Sequence, residues 1–239
     1  VSASASTLRQ ASGLVDVLGY TPEGDGPLAE PLSALSALPE THPYSLVGRE
    51  AVEAGLALFD EIAGERYCGA HTRANALVAT HAGRVKPTAR YPATVAPGLA
   101  SADRETLLVR LAEVPDFDAP LAAAHLDSVV PGDVHGVTVE FPVEVSADAK
   151  VTRFAHLLDA NTGEGVANVR RALAERIAGH LDGASRVGLP AVLGLDHARE
   201  VRTEIAEILA VDVFEVPMGP PSVPGLRLDA LLTAALDDA

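Results

Sequence analysis

The spacing of hydrophobic and polar residues changes period several times along this chain. Residues 21 to 43 are rich in Pro, Gly and Ser and predict a surface loop with little regular structure, closed by His42-Pro43. Val52, Leu56, Phe59 and Ile62 then recur at helical spacing, and Gly64 marks the stop. Residues 75 to 95 alternate about a His81–Arg84 turn and predict a hairpin. Leu107 to Leu111 predicts a short apolar strand, and Asp118 before Pro120 predicts a capped helix start. From Val137 to Val145 the odd positions are apolar, while Thr138, Glu140, Pro142 and Glu144 fall on the other face. That pattern predicts a strand with one wet face, and Pro142 places it at a sheet edge. A helix is predicted over residues 164 to 182, with Val166, Val169, Leu173, Ile177 and Leu181 inward and Arg170, Arg171, Glu175 and Arg176 largely outward.

Arg186 to Leu193 predicts a buried strand. Asp196 predicts the cap of a helix whose Val201, Ile205 and Ile208 or Leu209 point inward, and Val211 to Pro217 predicts another strand. A Pro/Gly loop over 218 to 225 leads to a last helix carrying Leu228, Leu231, Leu232 and Leu236. The order helix, strand, helix, strand, helix predicts an α/β layered domain. Its sheet is expected to be mixed, partly parallel and flanked by helices, with the hairpin near residues 75–95 as an addition. Ligands in such folds sit beyond the carboxyl ends of the strands. Here those ends carry the loops Gly194–His197 and Met218–Arg227.

Composition narrows the function classes. The chain has 239 residues, 48% hydrophobic and 21% charged, enough for a sizeable core. No apolar run approaches the ~18 to 20 residues of a membrane span, and the opening residues Val1–Ser6 do not read as a secretory signal. Cys68 is the single cysteine, which excludes an internal disulfide and a paired-cysteine zinc site. Acids outnumber bases 33 to 18, and aromatics are 4%, which argues against a nucleic-acid reader. The bases are 16 Arg and 2 Lys, Lys86 and Lys150. Acid excess with scarce lysine fits a salt-adapted protein; a GC-rich genome is the other source of such usage. The chain has no initiator Met, and reads as a processed product or a piece of something longer.

No GxSxG elbow, Walker A loop or HExxH helix occurs. The eight histidines show no ligand spacing, so no metal is expected. Gly163-Glu-Gly165, at the predicted helix start, could offer N–H groups to an anion or be a plain turn. Three segments carry more. Ser6-Thr-Leu-Arg-Gln-Ala-Ser-Gly13 resembles the stretch that passes along the isoalloxazine ring in flavin-dependent succinate, fumarate and aspartate oxidoreductases, though a polar turn has the same composition. Thr41-His-Pro-Tyr-Ser-Leu46 is the second, and Pro220-Pro-Ser-Val-Pro-Gly-Leu-Arg-Leu228 the third.

In this order the three segments resemble the B subunit family of anaerobic glycerol-3-phosphate dehydrogenases; Arg153–Asp159 and Leu189–Leu195 resemble family segments too. The resemblance implies oxidation of sn-glycerol 3-phosphate to dihydroxyacetone phosphate, with hydride passing to a flavin (FMN or FAD) and electrons to quinone. It implies partner subunits, a catalytic flavoprotein and an iron–sulfur membrane-anchoring subunit, and a cytoplasmic location or a peripheral one at the membrane's cytoplasmic face. Ser6, Thr7, Gln10, Ser12 and Gly13 would then contact flavin. Arg9 and Arg227 would bind substrate, Arg227 from the start of the last helix, with a surface salt bridge as its alternative. His42 and His156 would be acid–base candidates, or structural. Replacing Arg227 is expected to weaken ligand binding and leave the fold intact. Residues 1–20 read as the flavin-contacting segment and 21–239 as a substrate or cap domain. Family members begin with a Gly-rich phosphate loop that is missing here, so this piece alone is expected to bind flavin weakly and to be inactive. A non-catalytic docking or electron-relay module of the same complex is the alternative.

Overall fold

The computed structural model describes residues 6–24 and 26–237. Residues 1–5 of the predicted flavin-contacting segment, together with Asp25, Asp238 and Ala239, lie outside the described residues. A short helix α1 (Pro43–Val47) runs into α2 (Arg49–Ala63), followed by β1 (Tyr67–Cys68), β2 (Ala76–Ala79), β3 (Val85–Thr88) and β4 (Tyr91–Pro92). Then come β5 (Thr106–Leu111), α3 (Ala119–Leu126), β6 (Val134–Val139), α4 (Val151–Ala160), α5 (Val169–Ala178), β7 (Arg186–Pro190), α6 (Ala198–Leu209), β8 (Asp212–Val216) and α7 (Val223–Asp237).

The main sheet has the order β6-β5-β7-β8 and is parallel throughout. β2 and β3 form the expected antiparallel hairpin, and β1 pairs with β4 outside it. β5 and β7 are buried along most of their length because helices and loops cover both sheet faces. Gly98, on the turn after β4, shows how close that cover lies: a Cβ there would drive into the Phe214 ring of β8. The core runs through Leu107, Val109, Leu189, Val213, Phe154 and Leu173, all fully buried. A smaller cluster of Leu14, Val78, Tyr91 and Val95 lies under the hairpin.

Several boundaries differ from the sequence pattern, each for a visible reason. β6 is an edge strand, but it ends at Val139 rather than 145. The Phe141 N–H donates to the Glu113 carboxylate instead of to a strand, and Pro142 has no N–H to give. The predicted helix at 164 starts at Val169, where the Asn168 side chain accepts from the Arg171 N–H. Gly163 and Val166 close a tight turn on each other, so Gly163–Gly165 is not at a helix N-terminus. Arg170 points inward with 8% exposure, donating to the Leu158 and Asp159 carbonyls and to Glu204. A short helical segment, Pro31–Ala37, interrupts the region read as loop, and α1 begins at its last residue, Pro43. α4 follows no predicted element.

Candidate functional site

All four parallel strands end on the same edge, and the loops after β7 and β8 meet there. Arg227 joins them. It is the fifth residue of α7, not its first, because Val223 already opens the helix. Its Nη1 and Nη2 donate to the two oxygens of Glu215 at 2.7 and 2.9 Å, and its Nε donates to the Gly194 carbonyl at 2.8 Å. Nη2 also donates to that carbonyl. Glu215 has 0% exposure and also accepts from the Thr94 hydroxyl at 2.5 Å and the Leu193 N–H at 2.8 Å. Burial pushes its pKa up, but Arg227 and these hydrogen bonds outweigh burial and hold the carboxyl below its ordinary range. Four of the five guanidinium N–H groups of Arg227 are thus engaged within the chain.

The loop after β7 is held from the other side by Asp159 of α4. Its carboxylate accepts from the N–H groups of Leu195, Asp196 and His197 at 2.6, 3.1 and 3.1 Å. Asp196 therefore does not cap α6; the helix opens after His197 with Asp159 filling the site that its free N–H groups offer an anion. Gly194 has φ +89°, and a Cβ there would run into Asp159 Oδ1.

Segment 6–13 packs against α7. Thr7–Gln10 is a single helical turn, with the Leu8 N–H donating to the Ser6 hydroxyl. Gly13 has φ +80°, and a Cβ on it would lie 2.5 Å from Pro224 Cβ. The close approach that Gly13 permits is thus to Pro224. Gly225 does the same in reverse: its Cβ would lie 2.5 Å from the Leu8 carbonyl. Arg9 Nε donates to Asp229 at 2.6 Å, and the Arg9 and Ser6 hydrogen bonds hold the Asp229 carboxyl below its ordinary range. The first and third sequence segments are therefore one packed unit. Asp229 and Arg227 are two residues apart, roughly 200° around a helix, so Arg9 and Arg227 serve opposite sides of α7 and do not form one clamp.

On the Arg227 side lies a cleft of about 670 Å³ between the end of α2 and α7. Ile62, Tyr67, Thr94, Leu195, Arg227 and Leu231 are among its walls. Tyr67 links it to the other face, donating its hydroxyl to the Gly13 carbonyl at 2.8 Å. Burial pushes the Tyr67 phenol up, against the pull of Arg227. His42 and His156 are elsewhere. His42 caps α1 by accepting the Tyr44 N–H at 3.1 Å, and His156 is exposed on α4. Neither lines the cleft. Among the described residues, no group of three or more His, Cys, Asp or Glu is placed to hold a metal, and no helix is long and apolar enough to cross a membrane. Glu215 and Asp159 were missed in the sequence. An acid inside the apolar run Val213-Phe-Glu-Val216 was a readable signal; Tyr67 and Thr94 gave none.

The profile of a family described as FAD binding domain matches residues 1–238. A Halobacterium salinarum protein, named as the probable B subunit of an anaerobic glycerol-3-phosphate dehydrogenase, is 58% identical over 100% of this chain and 57% of its own length. A Pectobacterium atrosepticum protein named as the B subunit of the same enzyme is 30% identical over 98% of this chain and 56% of its own length, and a Vibrio cholerae one 26% identical over 97% and 55%. The chain spans little more than half the length of these curated relatives. No solved structure matches. The resemblance drawn from the three segments is borne out, and the Halobacterium relative accords with a salt-adapted composition.

Proposed function

Because the chain belongs to the FAD binding domain family, we propose that it is the part of a flavin-dependent glycerol-3-phosphate dehydrogenase that covers the ring end of the flavin. The enzyme's reaction is oxidation of sn-glycerol 3-phosphate to dihydroxyacetone phosphate, with electrons passed on through partner subunits to quinone. The observation that carries this reading is the packing of segment 6–13 on the first turn of α7, which joins two of the three family-like segments into one surface.

The described residues fit the ring end of a flavin and not its phosphates. Thr7 and Gln10 are exposed on their turn, with a hydroxyl and an amide to offer ring oxygens and nitrogens. The phosphate end has no such place on the strand-end loops: the N–H groups at 195–197 are filled by Asp159, and the α7 start is closed by the Ser222 hydroxyl on the Gly225 N–H. When bound, flavin supplies the acceptor for the substrate's hydride. Arg9, exposed on this turn, would meet a phosphate ester by leaving Asp229. Ser12 accepts the Leu14 N–H and keeps the turn in shape. His42 caps α1 and His156 is exposed on α4, so an acid–base role for either would require it to reach the ring from there.

The full-length protein with its partner subunits, mixed anaerobically with sn-glycerol 3-phosphate, should lose its flavin absorbance. Retained absorbance in a sample that dithionite bleaches would overturn the reading. The 239-residue piece purified alone should be colourless. One observation favours the second reading, a non-catalytic docking or electron-relay module: the large apolar side chains Leu46 and Val47 of α1 and Leu58 of α2 are exposed. Flavin that only the partner subunit's substrate turnover can reduce would support it.

A further inference from the structure

We propose that the cleft between α2 and α7 binds a small phosphorylated molecule through Arg66 and Arg199, with Glu65 as a competing internal anion. At about 670 Å³ the cleft has the size of a small-molecule site. Ala63, Ala230, Leu231 and Ala234 give it an apolar wall for an organic body. Its polar groups are mostly spent: Arg227 on Glu215 and Gly194, Thr94 on Glu215, and the 195–197 N–H groups on Asp159. The cations left for a ligand are Arg66 and Arg199, both lining the cleft. Among the described residues, Arg66 takes part in none of the ion pairs. Arg199, in the first turn of α6, reaches Glu65 on the opposite wall at 2.7 Å.

That cross-cleft pair is exposed, with side-chain exposures of 69% and 86%. Exposed pairs of this kind contribute little. A phosphate group carries nearly two charges and three acceptor oxygens, so it replaces the single Glu65 carboxylate on Arg199 while also meeting Arg66. Asp196 lines the same cleft and is an acceptor for ligand hydroxyls. The ligand class is therefore a phosphate monoester with a hydroxylated or short apolar body. Only the choice of ester rests on the function proposed above; no residue of segment 6–13 is among the cleft's walls, and the cleft stands without flavin.

Titration of the full-length oxidised protein at fixed ionic strength tests this, with sn-glycerol 3-phosphate, inorganic phosphate and glycerol as probes. The ester should bind more tightly than inorganic phosphate, and glycerol should not bind. Arg66→Ala and Arg199→Ala should each weaken the ester about tenfold, the scale of one charge-assisted contact. Glu65→Gln should tighten it about threefold by removing the competitor. Arg171→Ala, exposed and away from the cleft, should change nothing and controls for lost net charge. Unchanged affinity in both arginine variants, or weaker binding in Glu65→Gln, overturns the site. Inorganic phosphate binding as tightly as the ester overturns the ester assignment. An ester that binds here but bleaches no flavin would sink the dehydrogenase reading alone, whereas ester affinity unchanged in both arginine variants, in protein whose flavin the ester still bleaches, would sink the cleft alone.

Discussion

Arg227 and Glu215 grip each other two nitrogens to two oxygens, at 2.7 and 2.9 Å, where α7 passes the end of β8. The carboxylate is wholly buried and the Arg227 side chain 16% exposed, which argues against the expectation that Arg227 can be lost without cost to the fold. Removing one partner of such a pair strands the other charge in the interior, a loss of about 3–5 kcal/mol. Arg227→Ala should therefore lower the melting temperature sharply, and Arg227→Lys should recover part of it by keeping the charge without the fork. A melting temperature equal to wild type in Arg227→Ala would show the pair to be dispensable.

The same pair sets a pH dependence. Glu215 has its folded pKa held below the unfolded value of about 4.3. A depressed carboxyl contributes stability that is complete above the unfolded value and is lost as pH falls through the folded one. Stability should thus decline below about pH 4, and the decline should be shallower in Glu215→Gln, which has no proton to take up there. Chemical denaturation of the two proteins between neutral and acid pH reads this directly, and parallel curves would exclude Glu215 as a source.

Gly13 and Gly225 can be used to loosen segment 6–13 without touching the sheet. Gly13→Ala meets both Pro224 and a φ of +80°, so it should cost roughly 1–3 kcal/mol. Gly225→Ala is compatible with helix but meets the Leu8 carbonyl. Both should speed amide exchange at residues 7–14 while leaving exchange in β5 and β7 at wild-type rates. Faster exchange throughout the sheet would mean that the segment is part of the main folding unit. In the full-length holoprotein, both should also weaken flavin retention if the segment lies on the ring.

Much of the parallel sheet was legible because buried strands and amphipathic helices leave period-two and period-3.6 stripes. The hairpin, β5, β7, β8, α2 and the cap at Asp118 were read correctly for that reason. What failed were places where a side chain distant in sequence takes over a local job. Asp196 looks like a cap, yet Asp159 performs it from 36 or more residues away. Arg170 looks like a solvent residue on a helical wheel, yet carbonyls at the end of α4 draw it in. Segment 6–13 could be matched to a family pattern, but its contact with Pro224 and Asp229 depends on a 220-residue separation that no local pattern encodes.

The acid excess of 33 to 18 makes a prediction about salt. Carboxylates crowd the surface and repel at low ionic strength, where the screening length is long. The melting temperature should rise markedly from dilute buffer to molar potassium chloride. Exposed pairs such as Arg199–Glu65 weaken under the same screening, so a net rise means that repulsion dominates. A flat or falling curve would leave the arginine-rich, lysine-poor composition to codon usage alone.

Asp159 and Gly194 offer a sharper test, because each explains the other. Asp159 takes three N–H groups at the start of α6, and the carbonyl of Gly194 beside them receives two N–H groups of Arg227. Asp159→Ala removes a charged acceptor from partly buried donors and should cost about 1.5–3 kcal/mol. Gly194→Ala should also be costly, from its φ of +89° and from the collision with Asp159 Oδ1. The two costs differ in kind: the backbone strain stays whatever residue 159 is, but the collision vanishes once the carboxylate is gone. The double variant should therefore be more stable than the summed single losses predict, by about 1 kcal/mol. Denaturant midpoints of the four proteins measure this coupling. Strict additivity would mean that the loop is held by its own backbone and that Asp159 reads its shape without setting it.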